Sequence, residues 1–138
     1  FESLVRNYFE QYLGQFPAQV FDKINENFIR CSFFELVSRY LSSCYTFAIE
    51  QNNSEGRADF EMTGIPGTDY YTDDRLVEFK YYKAKEAEKM LASDAPLPEH
   101  VEQVHRYAED TLRHFPNYKV RTYVVYICAN RGWKCWEV

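Results

Sequence analysis

Two stretches, Arg57-Ala58-Asp59-Phe60-Glu61-Met62 and Arg75-Leu76-Val77-Glu78-Phe79-Lys80-Tyr81-Tyr82, decide how this chain reads. In the first, Arg57, Asp59 and Glu61 point one way while Ala58, Phe60 and Met62 point the other, the two-residue period of a strand with one buried face. In the second, Leu76, Glu78 and Lys80 share a face. Gly64, Pro66 and Gly67 open the polar loop that joins the two strands. Charge in mid-strand is disfavoured by burial, so these side chains must pair or hold something between them. Residues two apart on a strand lie roughly 6–7 Å apart, which lets Glu78 ligate a metal while Lys80 points at a water or phosphate beside it. The Phe79 carbonyl offers a third oxygen. Such an all-oxygen set suits Mg²⁺ or Mn²⁺ rather than Zn²⁺. The plainer alternative is a structural ion pair on a solvated sheet face. The residues alone leave both readings open.

Working outward, residues 1–19 carry Leu4, Val5, Tyr8, Phe9, Tyr12 and Leu13 at helical spacing and stop near Gly14 and Pro17. A second helix is expected from Asn25, its N-cap, to Leu41, with Ile29, Phe33, Leu36 and Tyr40 as its apolar stripe. Residues 45–50 read as a strand, followed by a turn over residues 51–56. Beyond the central strands come a helix over residues 84–91, a break at Pro96 and Pro98, and a helix over residues 99–115. That last helix has Val101, Val104, Ala108, Leu112 and Phe115 on its buried side. Residues 120–128 are apolar on both faces and so read as a central strand; a last strand covers residues 133–138. The order gives an α/β domain with a mixed central sheet of about five strands flanked by helices.

With 138 residues, 46% of them apolar and 27% charged, the chain can build a core and is neither disordered nor collagen-like. Its longest apolar run, residues 123–129, is far too short to span a bilayer, so no membrane partner is expected. The net charge of −5 argues against a protein that coats nucleic acid by charge alone. It leaves open an enzyme that meets a phosphodiester through a metal, since such a site is itself carboxylate-rich. Cys31, Cys44, Cys128 and Cys135 show no metal-ligand spacing and read as reduced thiols of a cytoplasmic protein. The chain opens in mid-pattern at Phe1, which reads as a fragment of a longer polypeptide.

Gly56-Arg57-Ala58-Asp59-Phe60 followed by Leu76-Val77-Glu78-Phe79-Lys80 resembles the PD-(D/E)XK nuclease superfamily, with its restriction-endonuclease-like core. It looks most like the branch found as the C-terminal domain of bacterial proteins with an N-terminal AAA-type ATPase-like domain. The likeness runs from about Asn25 to the end. Asn25-Glu26-Asn27-Phe28 resembles the start of the first core helix, and Gln103-Val104-His105-Arg106-Tyr107 the QxxxY helix. The resemblance implies a metal-dependent nuclease acting on nucleic acid, DNA first. Asp59 and Glu78, with the Phe79 carbonyl, would hold the ion. Lys80 would orient water or stabilise the transition state, and Glu26 would assist the metal or a water near it. Gln103 and Tyr107 would contact the substrate or brace Lys80, and Arg57 would meet the substrate. Residues 1–19 would then be a helical linker from a preceding ATPase-like domain, and residues 20–138 the nuclease-like domain. Ala58 stands where the motif has Pro.

Competing assignments attach to several residues. Arg30, one turn after Glu26, reads as its ion-pair partner. Glu35 rivals Glu26 for the helix acid, and His105 and His114 read as surface residues. Lys83, Lys85 and Lys89 alternate with Glu86 and Glu88 as a solvated helix face. No G-x-S-x-G elbow, H-E-x-x-H helix or Walker A loop is present. The alternative to a nuclease is an inactive module of the same fold that docks or regulates the attached ATPase-like domain.

Overall fold

The computed structural model describes residues 1–50 and 58–138. Arg57, and the turn read over residues 51–56, lie outside the described residues. Helix α1 (Glu2–Asn7) runs into a π turn (Tyr8–Tyr12) and a 3₁₀ turn (Leu13–Gln15), and a further 3₁₀ segment covers Ala18–Asp22. Then come α2 (Glu26–Leu41), β1 (Tyr45–Ile49), β2 (Phe60–Gly64), β3 (Asp73–Tyr82), α3 (Ala84–Leu91), α4 (Pro98–His114), β4 (Lys119–Cys128) and β5 (Gly132–Glu137). The Asn25 side chain accepts a hydrogen bond from the Phe28 N–H at 3.0 Å, the cap its position predicts. Pro98 sits in the first turn of α4, where its missing N–H is harmless. Among the described residues no helix is long and apolar enough to cross a membrane.

The five strands form one mixed sheet in the order β1-β2-β3-β4-β5. All neighbours are antiparallel except β3 and β4, which run parallel and are joined by the α3–α4 crossover. Two cores flank the sheet. Phe60, Met62, Val77, Phe79, Val125 and Ile127 pack under α2 with Ile29, Phe33 and Val37, while Leu76, Val124 and Tyr126 pack under α3 and α4 with Ala87, Met90 and Val104. The fold is therefore the α/β, restriction-endonuclease-like arrangement expected, in three layers.

The apolar stripe of residues 1–19 finds its partner in α2 and the sheet: Val5, Tyr8 and Leu13 are buried in the same core, and the Tyr8 hydroxyl lies 2.6 Å from Ser32 Oγ. Three expectations need correction. Leu112 and Phe115 stay 40% and 51% exposed, because α4 turns only the face of His100 and Val104 fully into the core. Tyr40 is 76% exposed, in the last turn of α2. Asp59 is a bend residue just before β2 rather than a mid-strand one. Gly64 ends β2 for a steric reason: a Cβ there would meet the Tyr70 carbonyl oxygen at 1.7 Å, where the loop folds back.

One mismatch of length positions the site. β2 pairs with β3 only as far as Phe60 opposite Val77, whereas β4 follows β3 through all ten residues to Tyr82. The outer half of β3 is thus backed by β4 alone, and the groups of Phe79 and Tyr81 that face the β2 side run past the end of β2.

Candidate active site

That overhang leaves backbone donors to be satisfied, and two acids satisfy them. The Phe79 N–H donates to Asp59 Oδ2 at 2.9 Å, and the Tyr81 N–H donates to Glu26 Oε2 at 3.3 Å. In a strand the C=O of a residue faces the same edge as its N–H, so the Phe79 carbonyl also points toward the Asp59 side. Glu78 and Lys80 alternate with these residues on the α4 side, and Lys80 Nζ lies 2.8 Å from Glu78 Oε1 and 3.9 Å from Glu26 Oε1. Buried Glu78 Oε1 therefore has Lys80 as its one partner, and Glu78 Oε2 has none among the described residues.

These side chains line one cleft of about 780 Å³. Its floor carries Glu26, Glu50, Asp59 and Glu78 with Arg30 and Lys80; α4 supplies the wall, with Gln103, Arg106, Tyr107 and Arg113. Gln103 and Tyr107 are bonded to each other at 3.2 Å, amide to hydroxyl, rather than to Lys80. His105 and His114 are exposed and do not line the cleft. Glu35 pairs with Arg39 on the solvent side of α2 and does not line the cleft.

Two residues of the cleft floor, Arg30 and Glu50, escaped the sequence reading as site residues. Arg30 is bonded not to Glu26 but to Asp59, with Nη1 at 2.6 Å from Oδ1. The one available signal was its place on the same helix face as Glu26, four residues on. Glu50 is buried beside the floor, where its N–H donates to the Asp59 carbonyl at 3.2 Å; at the end of a strand it carried no signal at all.

The electrostatics follow from this crowding. Burial first, and then the neighbouring Asp59 charge, push the Glu78 carboxyl up to about 7. Burial alone would lower the Lys80 ammonium, but Glu78, Glu26 and Asp59 outweigh it and hold Lys80 above its ordinary value, protonated at neutral pH. The floor of the cleft is rich in carboxylate oxygens, a donor set that suits a hard divalent cation. The donors fit such an ion: a Glu78 oxygen without a partner among the described residues, Asp59 beside it and the Phe79 carbonyl at the same edge. Among the described residues no group of three or more acidic, His or Cys side chains gathers to cage a metal. Mg²⁺ needs no such cage, since it is usually held by one or two carboxylates and keeps several waters.

A pH dependence follows. Asp74, fully buried on β3, is likewise pushed up to about 7, by burial and then by Glu61. The unfolded chain ionises both carboxyls near their ordinary values of 3.8 and 4.5, and so binds fewer protons than the folded chain up to about 7. Without divalent cations, thermal melts should therefore show these groups' contribution to stability declining as pH climbs through that window and levelling off above about 7. Glu78→Gln should flatten the decline, and added Mn²⁺ should raise the melting temperature more at pH 8 than at pH 6.

The sequence pattern of the PD-(D/E)XK nuclease superfamily matches residues 24–137, and the chain belongs to that superfamily. The match covers α2, the whole sheet and the cleft. No curated protein matches the chain. Nucleases of this superfamily typically use divalent metals.

Proposed function

We propose that the chain is a divalent-cation-dependent nuclease that hydrolyses phosphodiester bonds of nucleic acid, DNA first, in the cleft between α2 and α4. The observation that carries the proposal is the buried Glu78 carboxylate, one oxygen held by a protonated Lys80 and the other without a partner among the described residues, beside Asp59. Asp59, Glu78 and the Phe79 carbonyl would hold Mg²⁺ or Mn²⁺, which when bound activates water and offsets charge on a phosphate. Lys80, kept charged by Glu78 and Glu26, is the donor for negative charge that develops at the phosphate oxygens. Glu26 tethers Lys80 while it is itself anchored on the Tyr81 N–H. Gln103 and Tyr107 present an amide and a hydroxyl to the substrate from α4. Arg57, two residues before Asp59, is a further substrate contact in this reading.

The same reading takes residues 20–138 as the nuclease domain and residues 1–19 as the segment that joins it to a preceding ATPase-like domain. Four free cysteines suit a reducing compartment, the cytoplasm. The alternative, an inactive module that serves the ATPase-like partner, draws on Arg30 already engaging Asp59.

Incubating the chain with single-stranded DNA, duplex DNA and RNA tests the proposal. Cleavage of at least one substrate in Mg²⁺ or Mn²⁺, and none in EDTA, is the expected result. Intact substrates in every cation, with Mn²⁺ still bound, would leave the inactive module.

A further inference from the structure

Arg30 is a charge placed where charge is costly. Its side chain is 9% exposed, on the turn of α2 that faces the cleft. One end of the guanidinium grips Asp59 Oδ1; Nη2 donates to Asn27 Oδ1, three residues back on the same helix. Asp59 in turn stands in a bend outside the β2–β3 ladder, so pairing within the sheet does not orient its side chain. Two donors from different layers do so instead: Arg30 from the helix on Oδ1, and the Phe79 N–H from the sheet on Oδ2. Four lone-pair positions on a carboxylate less two leave room for a further ligand.

We infer that Arg30 is a positioning residue for the cation site, fixing Asp59 in the orientation in which Asp59 and Glu78 take up one divalent cation. The inference rests on the cation-site reading above. Two physical effects of Arg30 oppose each other. As a nearby positive charge it repels a cation; as a hydrogen-bond donor it fixes a ligand that would otherwise swing away from its acidic neighbours. Partners that orient metal ligands are typically worth about 10–100-fold in affinity, and a two-ended grip anchored on Asn27 belongs to that kind. A mere counter-charge would not need the second anchor.

Mn²⁺ binding to the 138-residue chain, followed by calorimetry and by the paramagnetic resonance signal of free Mn²⁺, separates the two effects. Arg30→Met should weaken binding by about 10–100-fold. Arg30→Lys, which restores the charge but not the two-ended grip, should recover part of the loss. Asn27→Ala, at an exposed position, should weaken binding several-fold. In an Asp59→Asn background Arg30→Met should add no further loss, because the two act through one carboxylate. Folded Arg30→Met protein that binds Mn²⁺ as tightly as wild type or more tightly, or losses that simply add in the double variant, would overturn the inference while leaving the cation site standing. If Arg30→Met does not fold, unchanged affinity in Asn27→Ala overturns it. Wild-type chain that binds no Mn²⁺, or binding that survives Glu78→Gln, overturns the cation-site reading itself and this inference with it.

Discussion

Glu78→Gln should abolish nucleic-acid cleavage and weaken Mn²⁺ binding by about 100-fold or more, while making the cation-free protein more stable at pH 8. The substitution keeps the shape of a side chain that is 1% exposed and removes only its charge. That charge is one the fold resists: burial and Asp59 push the carboxyl up to about 7, so at pH 8 the ionised form is held against an unfavourable environment. A neutral amide relieves the strain, and Lys80 keeps Glu26 and solvent as partners. Asp59→Asn should behave oppositely in stability although it also ends cleavage. It strips the buried Arg30 guanidinium of its ion-pair partner, a change of the sort that costs about 3–5 kcal/mol. Two acids proposed for one ion thus have contrary stability signatures. Urea unfolding at pH 8 without metal, set beside cleavage and Mn²⁺ titration, reads both. A Glu78→Gln protein less stable than wild type at pH 8 would contradict the account of Glu78.

Phe33→Ala is expected to destabilise the chain by about 3–5 kcal/mol, enough to unfold much of it at 37 °C if its overall stability is ordinary. Phe33 is fully buried between the N-terminal helical turns and the sheet. Its ring meets Tyr8 at 5.4 Å, Phe60 and Phe79 at 5.1 Å and Phe1 at 5.9 Å. Removing it opens a cavity among rings that cannot all shift inward, since Phe60 and Phe79 are fixed by neighbouring strands. Phe33→Leu should cost distinctly less. Because Phe79 lies between Glu78 and Lys80, the Leu variant also tests whether looser packing beneath β3 reaches the cleft, through a drop in Mn²⁺ affinity at preserved fold. Denaturant midpoints with unchanged slopes would confirm that the effect is on stability rather than on the unfolded ensemble.

Local chemistry made much of this architecture legible before any coordinates. Asn25 before an apolar 3.6-residue period announces α2, and the unbroken apolar run of β4 announces an interior strand. Other features were hidden because they depend on what comes from elsewhere in the chain. Leu112 and Phe115 continue the periodicity of α4, yet that helix turns only the face of His100 and Val104 fully into the core. Alternation around Asp59 predicts a strand residue; its observed place in a bend follows from the early end of β2, which nothing in the alternation marks. Strand alternation alone put Asp59 with Glu78 and Lys80 on one face; the gathering of Glu26, Gln103 and Tyr107 at the same cleft was suggested by a family resemblance. Arg30 was assigned to the wrong acid because a helical i, i+4 rule sees only its own helix, whereas the stronger partner came from a bend twenty-nine residues later.

The unequal reach of β2 and β3 has a bearing on when the cleft can come into being. Every residue proposed to grip the ion lies between positions 59 and 80, a short and early hairpin-like region, but the outer half of β3 has no ladder neighbour until β4 docks alongside it, about forty-six positions further on. Closing so long a loop is entropically slow, and the parallel pairing is the last seam one expects to be stitched. The topology thus predicts that the strand carrying these anchors becomes rigid only when β4 docks, tying assembly of the cleft to completion of the sheet rather than to formation of the motif that carries it.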